Sequence, residues 1–151
     1  MIKSLSINKS LSLIVILLIY ISPVIGQKES DTLLNIVDIE EYIIQMKLHE
    51  NHTLIDVRTW MEYKKGRIPG AILAETKDVL FSITDTMDFD RSLFLYCATD
   101  FRSKSSGRLL AEKGFNNIYI LESGFYGWRD AGKDIDKSKP KKKEYHKKKS
   151  D

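Results

Sequence analysis

Four short apolar runs mark the middle of the chain, at 53–57 (TLIDV), 71–73 (AIL), 92–96 (SLFLY) and 118–121 (IYIL), with helix-like stretches between them. Short apolar strands alternating with helices predict a parallel sheet covered on both faces, an α/β fold. The helices are expected over 39–49, 60–65, 77–86, 103–113 and 125–131. Asp38 is a good N-cap for the first, and Glu41 completes a capping-box pattern with it. Ile39, Tyr42, Ile43 and Met46 follow at helical spacing. In the 103–113 helix, Leu109, Leu110 and Ala111 are expected to face inward, with Gly114 ending it. With 151 residues, the chain is long enough for one such domain and a modest core.

The two ends read differently from the middle. Lys3 and Lys9 precede an uncharged apolar run of 11 residues, 11–21, broken only by Ser12. Ser22 and Pro23 follow, then Val24, Ile25 and Gly26. This is the pattern of a secretory signal, with cleavage expected after Gly26. The run is short for a bilayer-spanning anchor, which needs about 20 residues. No cysteine lies near the site, so a lipid-anchored product is excluded. An exported protein, periplasmic or extracellular, is expected. From 137 to 151 the chain holds eight Lys and lacks apolar periodicity, so a disordered tail is expected. That tail is either a solubilising end or a contact for anionic surfaces. The chain as a whole has 24 basic and 21 acidic residues. Setting aside the eight tail lysines, Lys3, Lys9, Glu144 and Asp151 leaves 14 basic against 19 acidic residues in 27–136. The domain of 27–136 is therefore acidic, and no nucleic-acid partner is expected.

Cys97 is the only cysteine, so no intramolecular disulfide can form. It lies directly after the 92–96 strand and before the 103–113 helix. Sites in parallel sheets lie beyond the carboxyl ends of the strands. The turn Ala98-Thr99-Asp100-Phe101 leads to Arg102 and Ser103. Backbone N–H groups in such a loop form an anion cradle, and the helix N-terminus adds positive potential. Both favour the thiolate, the nucleophilic form of Cys97. A buried structural cysteine is the plainer alternative. Cysteine-dependent phosphatases place five residues between cysteine and arginine, whereas this loop has four, Ala98 to Phe101. A smaller ring suits one sulfur atom on the cysteine better than a tetrahedral oxyanion. Sulfur transfer is therefore preferred to phosphate or arsenate chemistry. His49 and His52 have no partner ligands at metal-binding spacing, and neither metal nor cofactor is expected.

Over roughly 34–131 the chain resembles the rhodanese family. The first match is Ile55-Asp56-Val57-Arg58 with Glu62-Tyr63 and Gly66-Arg67-Ile68-Pro69-Gly70-Ala71. The second is Cys97 through Arg102-Ser103. The third is Gly114-Phe115, 118–121, Gly124 and Trp128. The resemblance implies a rhodanese-like domain with a central, mostly parallel five-stranded sheet and helices on both faces. It implies a sulfurtransferase in which Cys97 carries sulfur as a persulfide. The donor would be thiosulfate or polysulfide, and the acceptor a thiol or cyanide. The loop 98–103 (Ala98, Thr99, Asp100, Phe101, Arg102, Ser103) would bind substrate, with Arg102 holding an anionic donor or shaping the loop. Asp56 and Arg58 would brace the site, with Arg58 and Glu62 as an ion pair. Two positions depart from the family pattern. Asp100 places a carboxylate in the loop, which disfavours an anionic donor. Arg67 stands where the family often has His, and is expected to restore positive charge near the site. Trp128 is expected in the core. A monomer is expected. The alternative reading is a rhodanese-like module that binds a partner or senses redox state without catalysis.

Overall fold

In the computed structural model, the described residues are 33–140. The expected signal at 1–26 and most of the Lys-rich tail lie outside them. Ten elements follow in order. They are β1 (Leu34–Val37), α1 (Ile39–Leu48), β2 (Thr53–Asp56), α2 (Trp60–Tyr63) and β3 (Ile72–Leu73), then α3 (Lys77–Thr84), β4 (Leu93–Tyr96), α4 (Phe101–Glu112), β5 (Ile118–Leu121) and α5 (Gly124–Asp130). The strands form one sheet in the order β1-β5-β4-β2-β3, and every pairing is parallel.

The sheet has the five strands expected. The pattern of apolar runs gave four of them; β1 was not among them. Only Leu34 of β1 is buried, because the strand sits at the sheet edge with a single neighbour, β5. β4 occupies the centre, and all four of its residues are buried. Its side chains alternate between two cores, as a strand requires. Leu93 and Leu95 join Leu80, Leu110, Phe115 and Ile120 on one face. Phe94 and Tyr96 join Tyr42, Tyr63, Phe125 and Trp128 on the other. Trp128 is thus a core residue, its indole N–H donating to the Asp134 carbonyl at 2.8 Å.

Three local expectations are corrected. The Asp38 side chain does cap α1, accepting from the Glu41 N–H at 2.9 Å. The Glu41 carboxylate, however, turns along the helix to accept from Gln45 at 2.8 Å, so it does not return to Asp38. In α4 the buried stripe is Ser103, Gly107, Leu110 and Ala111, while Leu109 is only half-buried. The stripe runs at i, i+4, i+7 and i+8, the helical period that the triplet 109–111 does not follow. Gly107 lets α4 approach the sheet closely. A Cβ there would lie 2.9 Å from Leu34 and 3.1 Å from Ile120. Finally, Gly114 lies one residue beyond the C-cap, which is Lys113.

Candidate active site

β4 ends at Tyr96, and Cys97 follows at the carboxyl edge of the central strand. It is 1% exposed. Residues 98–100 turn the chain, and α4 begins at Phe101. The loop carbonyls are tied outward. The N–H of Phe125 donates to Cys97 O at 2.8 Å, and that of Tyr126 to Ala98 O at 3.1 Å. Both donors belong to the first turn of α5, where helical N–H groups lack intrahelical partners. Gly124 opens that turn with φ +56°, and a Cβ on it would stand 1.8 Å from Thr99 O. The loop and α5 are therefore in backbone contact.

Among the described residues, no backbone carbonyl receives a bond from the N–H groups of 98–103; the first helical bond runs from Lys104 N to Asp100 O at 2.9 Å. Ser103 is fully buried, its hydroxyl 3.7 Å from the Cys97 sulfur and 2.9 Å from Asp100 O. The Ser103 hydroxyl, whose one proton serves either Asp100 O or the sulfur, is thus a donor within reach of Cys97.

Arg102 donates to both oxygens of Glu62, from Nη1 to Oε2 at 3.0 Å and from Nη2 to Oε1 at 2.9 Å. Glu62 also closes a capping box on α2, where the N–H and hydroxyl of Thr59 donate to Oε2 at 2.9 and 2.8 Å. The hydrogen bond from Arg102 pulls the Glu62 carboxyl down to a pKa of about 2, with the Thr59 bonds adding to it against partial burial. Reciprocally, Glu62 raises the Arg102 guanidinium above its ordinary value, and the Cys97 sulfur contributes in the same direction. Asp100, half-buried, accepts a hydrogen bond from Lys104 one helical turn on. Thr99 and Phe101 project outward, and Phe101 is 79% exposed.

The expected pair between Arg58 and Glu62 does not form. Arg58 precedes the N-cap Thr59, so its side chain is not on the face of α2. It folds back onto Asp56 instead. Nε lies 2.9 and 3.0 Å from the two carboxylate oxygens and Nη2 lies 2.6 Å from Oδ2, with both residues buried. Nη2 also donates to Gly66 O at 2.8 Å. The guanidinium lies 3.9 Å from the Phe125 ring centroid and 5.4 Å from that of Tyr96. Burial opposes the charge on Arg58, but the bonds to Asp56 outweigh it and raise the pKa. Phe125 donates its N–H to Cys97 O and Tyr96 precedes Cys97, so the pair packs against two residues that adjoin the loop.

Arg67 is also placed differently from expectation. It is 7% exposed and pairs with Asp136, and it donates to the Ser138 carbonyl and hydroxyl at 3.1 and 2.9 Å. Its guanidinium fastens the C-terminal segment and so does not serve as a cation for the loop. The same contacts show that Ser138, within the expected tail, packs against the domain.

Comparison with known proteins agrees with this geometry. The model of the family described as "Rhodanese-like domain" matches residues 40–131. The chain belongs to the rhodanese-like domain family. This rhodanese-like protein is 36% identical over 83 residues to the thiosulfate sulfurtransferase GlpE of Actinobacillus succinogenes, covering 55% of this chain and 74% of that one. It is 28% identical over 89 residues to thiosulfate sulfurtransferase GlpE of Shewanella oneidensis, covering 59% and 87%. The crystal structure of a rhodanese-like domain from Anabaena sp. superposes with a TM-score of 0.52 at 26% identity, covering 56% of this chain and 98% of that one. With the family and these relatives together, the protein is a sulfurtransferase of the rhodanese type.

Sequence reasoning named the loop, Asp56 and Arg58, but missed the roles of Glu62, Lys104 and Gly124. The Thr59-x-x-Glu62 spacing was a readable sign of a fixed Glu62 side chain.

Proposed function

We propose that Cys97 accepts a sulfane sulfur atom from a donor such as thiosulfate or polysulfide and hands it to a thiol or cyanide. The Cys97 thiolate attacks the outer sulfur of the donor. The donor's S–S bond breaks, and its electron pair leaves with sulfite or with the shortened polysulfide. Cys97 is left as a persulfide. The acceptor then attacks the terminal sulfur, and Cys97 departs as thiolate. Dividing one transfer into two covalent steps lowers the barrier to each. The observation that carries this reading is one buried sulfur at the end of the central strand, with α4 beginning four residues on and the Ser103 hydroxyl 3.7 Å away. A helix N-terminus and a hydroxyl favour negative charge on either the thiolate or the persulfide, in a site shielded from water.

Export to the periplasm or exterior is part of the same proposal, supported by Lys3, Lys9, the apolar run 11–21 and the small residues before Gln27. Mature protein beginning at Gln27 in the exported fraction would support it, and full-length protein confined to the cytoplasm would reject it.

The catalytic reading is tested by thiocyanate release from donor and cyanide. Wild-type protein is expected to turn over, and Cys97→Ser to lose turnover while keeping its circular dichroism spectrum. Equal thiocyanate release by both proteins would refute it.

A further inference from the structure

We propose that the cavity beside the start of β2 binds a small organic cation, an ammonium group carried on an apolar body. The cavity is separate from the Cys97 loop, and the proposal does not depend on the reading of Cys97.

The cavity follows from the shortness of β3. In the turn Ile68-Pro69-Gly70-Ala71, the Ala71 N–H donates to Ile68 O at 3.1 Å and Gly70 has φ +82°. Proline in the second position and a positive-φ glycine in the third make a type II turn. The strand that follows has two residues, and they pair with Ile55 and Asp56 alone. Among the described residues, no strand pairs with Thr53 and Leu54 on that side. The space left is about 350 Å³, within the range of small-molecule sites. A Cβ on Gly70 would meet nothing within 4 Å, so the turn faces open space. Leu54 is level with Phe94, three residues before Cys97, which is about 10 Å along the strand.

Met46, Leu54, Ile68, Ile72 and Trp128 give the cavity apolar walls. The polar side chains of the lining are His52, Thr53 and Asp134. The donors among these residues are spent inside the protein. The Thr53 hydroxyl donates to Met87 Sδ at 3.8 Å, and the Trp128 indole N–H to Asp134 O at 2.8 Å. His52 Nδ1 lies 2.7 Å from His49 O, and a carbonyl only accepts, so Nδ1 carries a proton. In the neutral ring Nε2 is then an acceptor. Among the described residues, neither Nε2 nor the Asp134 carboxylate has a hydrogen-bond partner.

No lysine or arginine lines the cavity. Of the basic residues adjoining lining residues in sequence, Arg67, Arg129 and Lys133 are held by Asp136, Asp130 and Glu40, which leaves the exposed Lys47. The lining thus offers a carboxylate, an acceptor nitrogen and an aromatic side chain, with its side-chain donors already engaged. A complementary ligand supplies the donors and the positive charge. A carboxylate or phosphate would meet acceptors and find no cation in the lining. An ammonium donates to such acceptors and is attracted to the face of an indole. Its apolar body leaves water for the walls.

The test titrates phenethylammonium into the purified full chain and follows backbone amide and indole N–H signals by NMR. Saturable shifts are expected at 52–54, 68–72 and the Trp128 indole, with a Kd of about 1 mM or tighter. Phenylacetate, a similar body bearing a carboxylate, should bind about tenfold more weakly or less. Asp134→Asn should weaken phenethylammonium about threefold, with the difference fading at high salt. Ile72→Trp, which fills the cavity, should weaken it about tenfold. The same spectra report the fold of each variant, and the two variants act by different routes, so misfolding of one leaves the other decisive. Phenylacetate binding as tightly as phenethylammonium, wild-type affinity in the folded variants, shifts confined to 97–103, or no saturable shift at all would overturn the proposal and leave the persulfide cycle intact.

Discussion

Arg102 and Glu62 lie 40 residues apart in sequence and meet through two hydrogen bonds at the mouth of the Cys97 loop. The pair ties α2, through its capping box, to the first turn of α4.

Glu62→Gln removes the charge from this pair. The Glu62 side chain is 29% exposed and that of Arg102 39%, so solvent still screens the pair and the loss of stability at pH 7 is expected to be modest, about 1 kcal/mol. The sign of its pH dependence follows from the depressed pKa. A carboxyl held at about 2 when folded, against 4.5 ordinarily, stabilises the fold above pH 4.5. That contribution fades as pH falls from 4.5 towards 2. Urea titrations of wild type and variant should therefore differ at pH 7 and converge only as the pH approaches 2. A difference that grows on acidification would contradict the assignment.

Gly124→Ala should be the most damaging single methyl in the site. The added carbon would lie 1.8 Å from Thr99 O, and φ is +56°. Loop and α5 would have to separate, breaking the bonds to Cys97 O and Ala98 O. A loss of about 2–4 kcal/mol is expected, combining backbone strain with displaced contacts. Thiocyanate turnover per folded molecule should fall about a hundredfold, since a small misplacement of reacting groups suffices for that. Wild-type activity in the variant would show that the loop does not depend on α5.

Asp56→Asn tests the buried brace. It would leave the Arg58 guanidinium buried without its counter-charge, which is expected to destabilise the fold by about 3–5 kcal/mol. Chemical denaturation measures this. Turnover of the remaining folded fraction should persist, because neither residue is placed on the donor's path.

Tyr42→Phe should act in the opposite direction. The Tyr42 ring is fully buried against the edge of Phe94, and its hydroxyl has no partner among the described residues. Burial raises its pKa well above the usual phenol value, so it stays neutral. Removing an unsatisfied buried hydroxyl is expected to leave stability unchanged or raise it by about 1 kcal/mol. A loss exceeding 1 kcal/mol by thermal unfolding would show that the hydroxyl is satisfied after all.

The features legible in the sequence were those set by local pattern. The runs at 92–96 and 118–121 announced central strands because parallel strands buried on both faces read as unbroken apolar stretches. The order strand, Cys97, loop, Arg102, helix was legible too, since β4 ends at Tyr96 and α4 begins at Phe101. What escaped was decided by contacts across the fold. β1 carries Asn35 between Leu34 and Ile36 and has one neighbour, so its signal is weak. Arg58 and Glu62 have the spacing of a helical pair, but α2 begins only at Trp60, and each side chain found a different partner. Nothing local in Gly124 shows that Thr99 lies against it. Arg67 looked like a cation for the loop because its partners, Asp136 and Ser138, stand about 70 residues later.

The central claim is that Cys97 carries sulfur, and intact-mass spectrometry of the purified protein tests it most directly. Treatment with thiosulfate or polysulfide should add about 32 Da, mapped by digestion to the peptide holding Cys97. Cyanide should then remove the added mass and release thiocyanate. An unchanged mass with every donor, while the Cys97 thiol still reacts with an alkylating agent, would contradict the account and favour a rhodanese-like binding module.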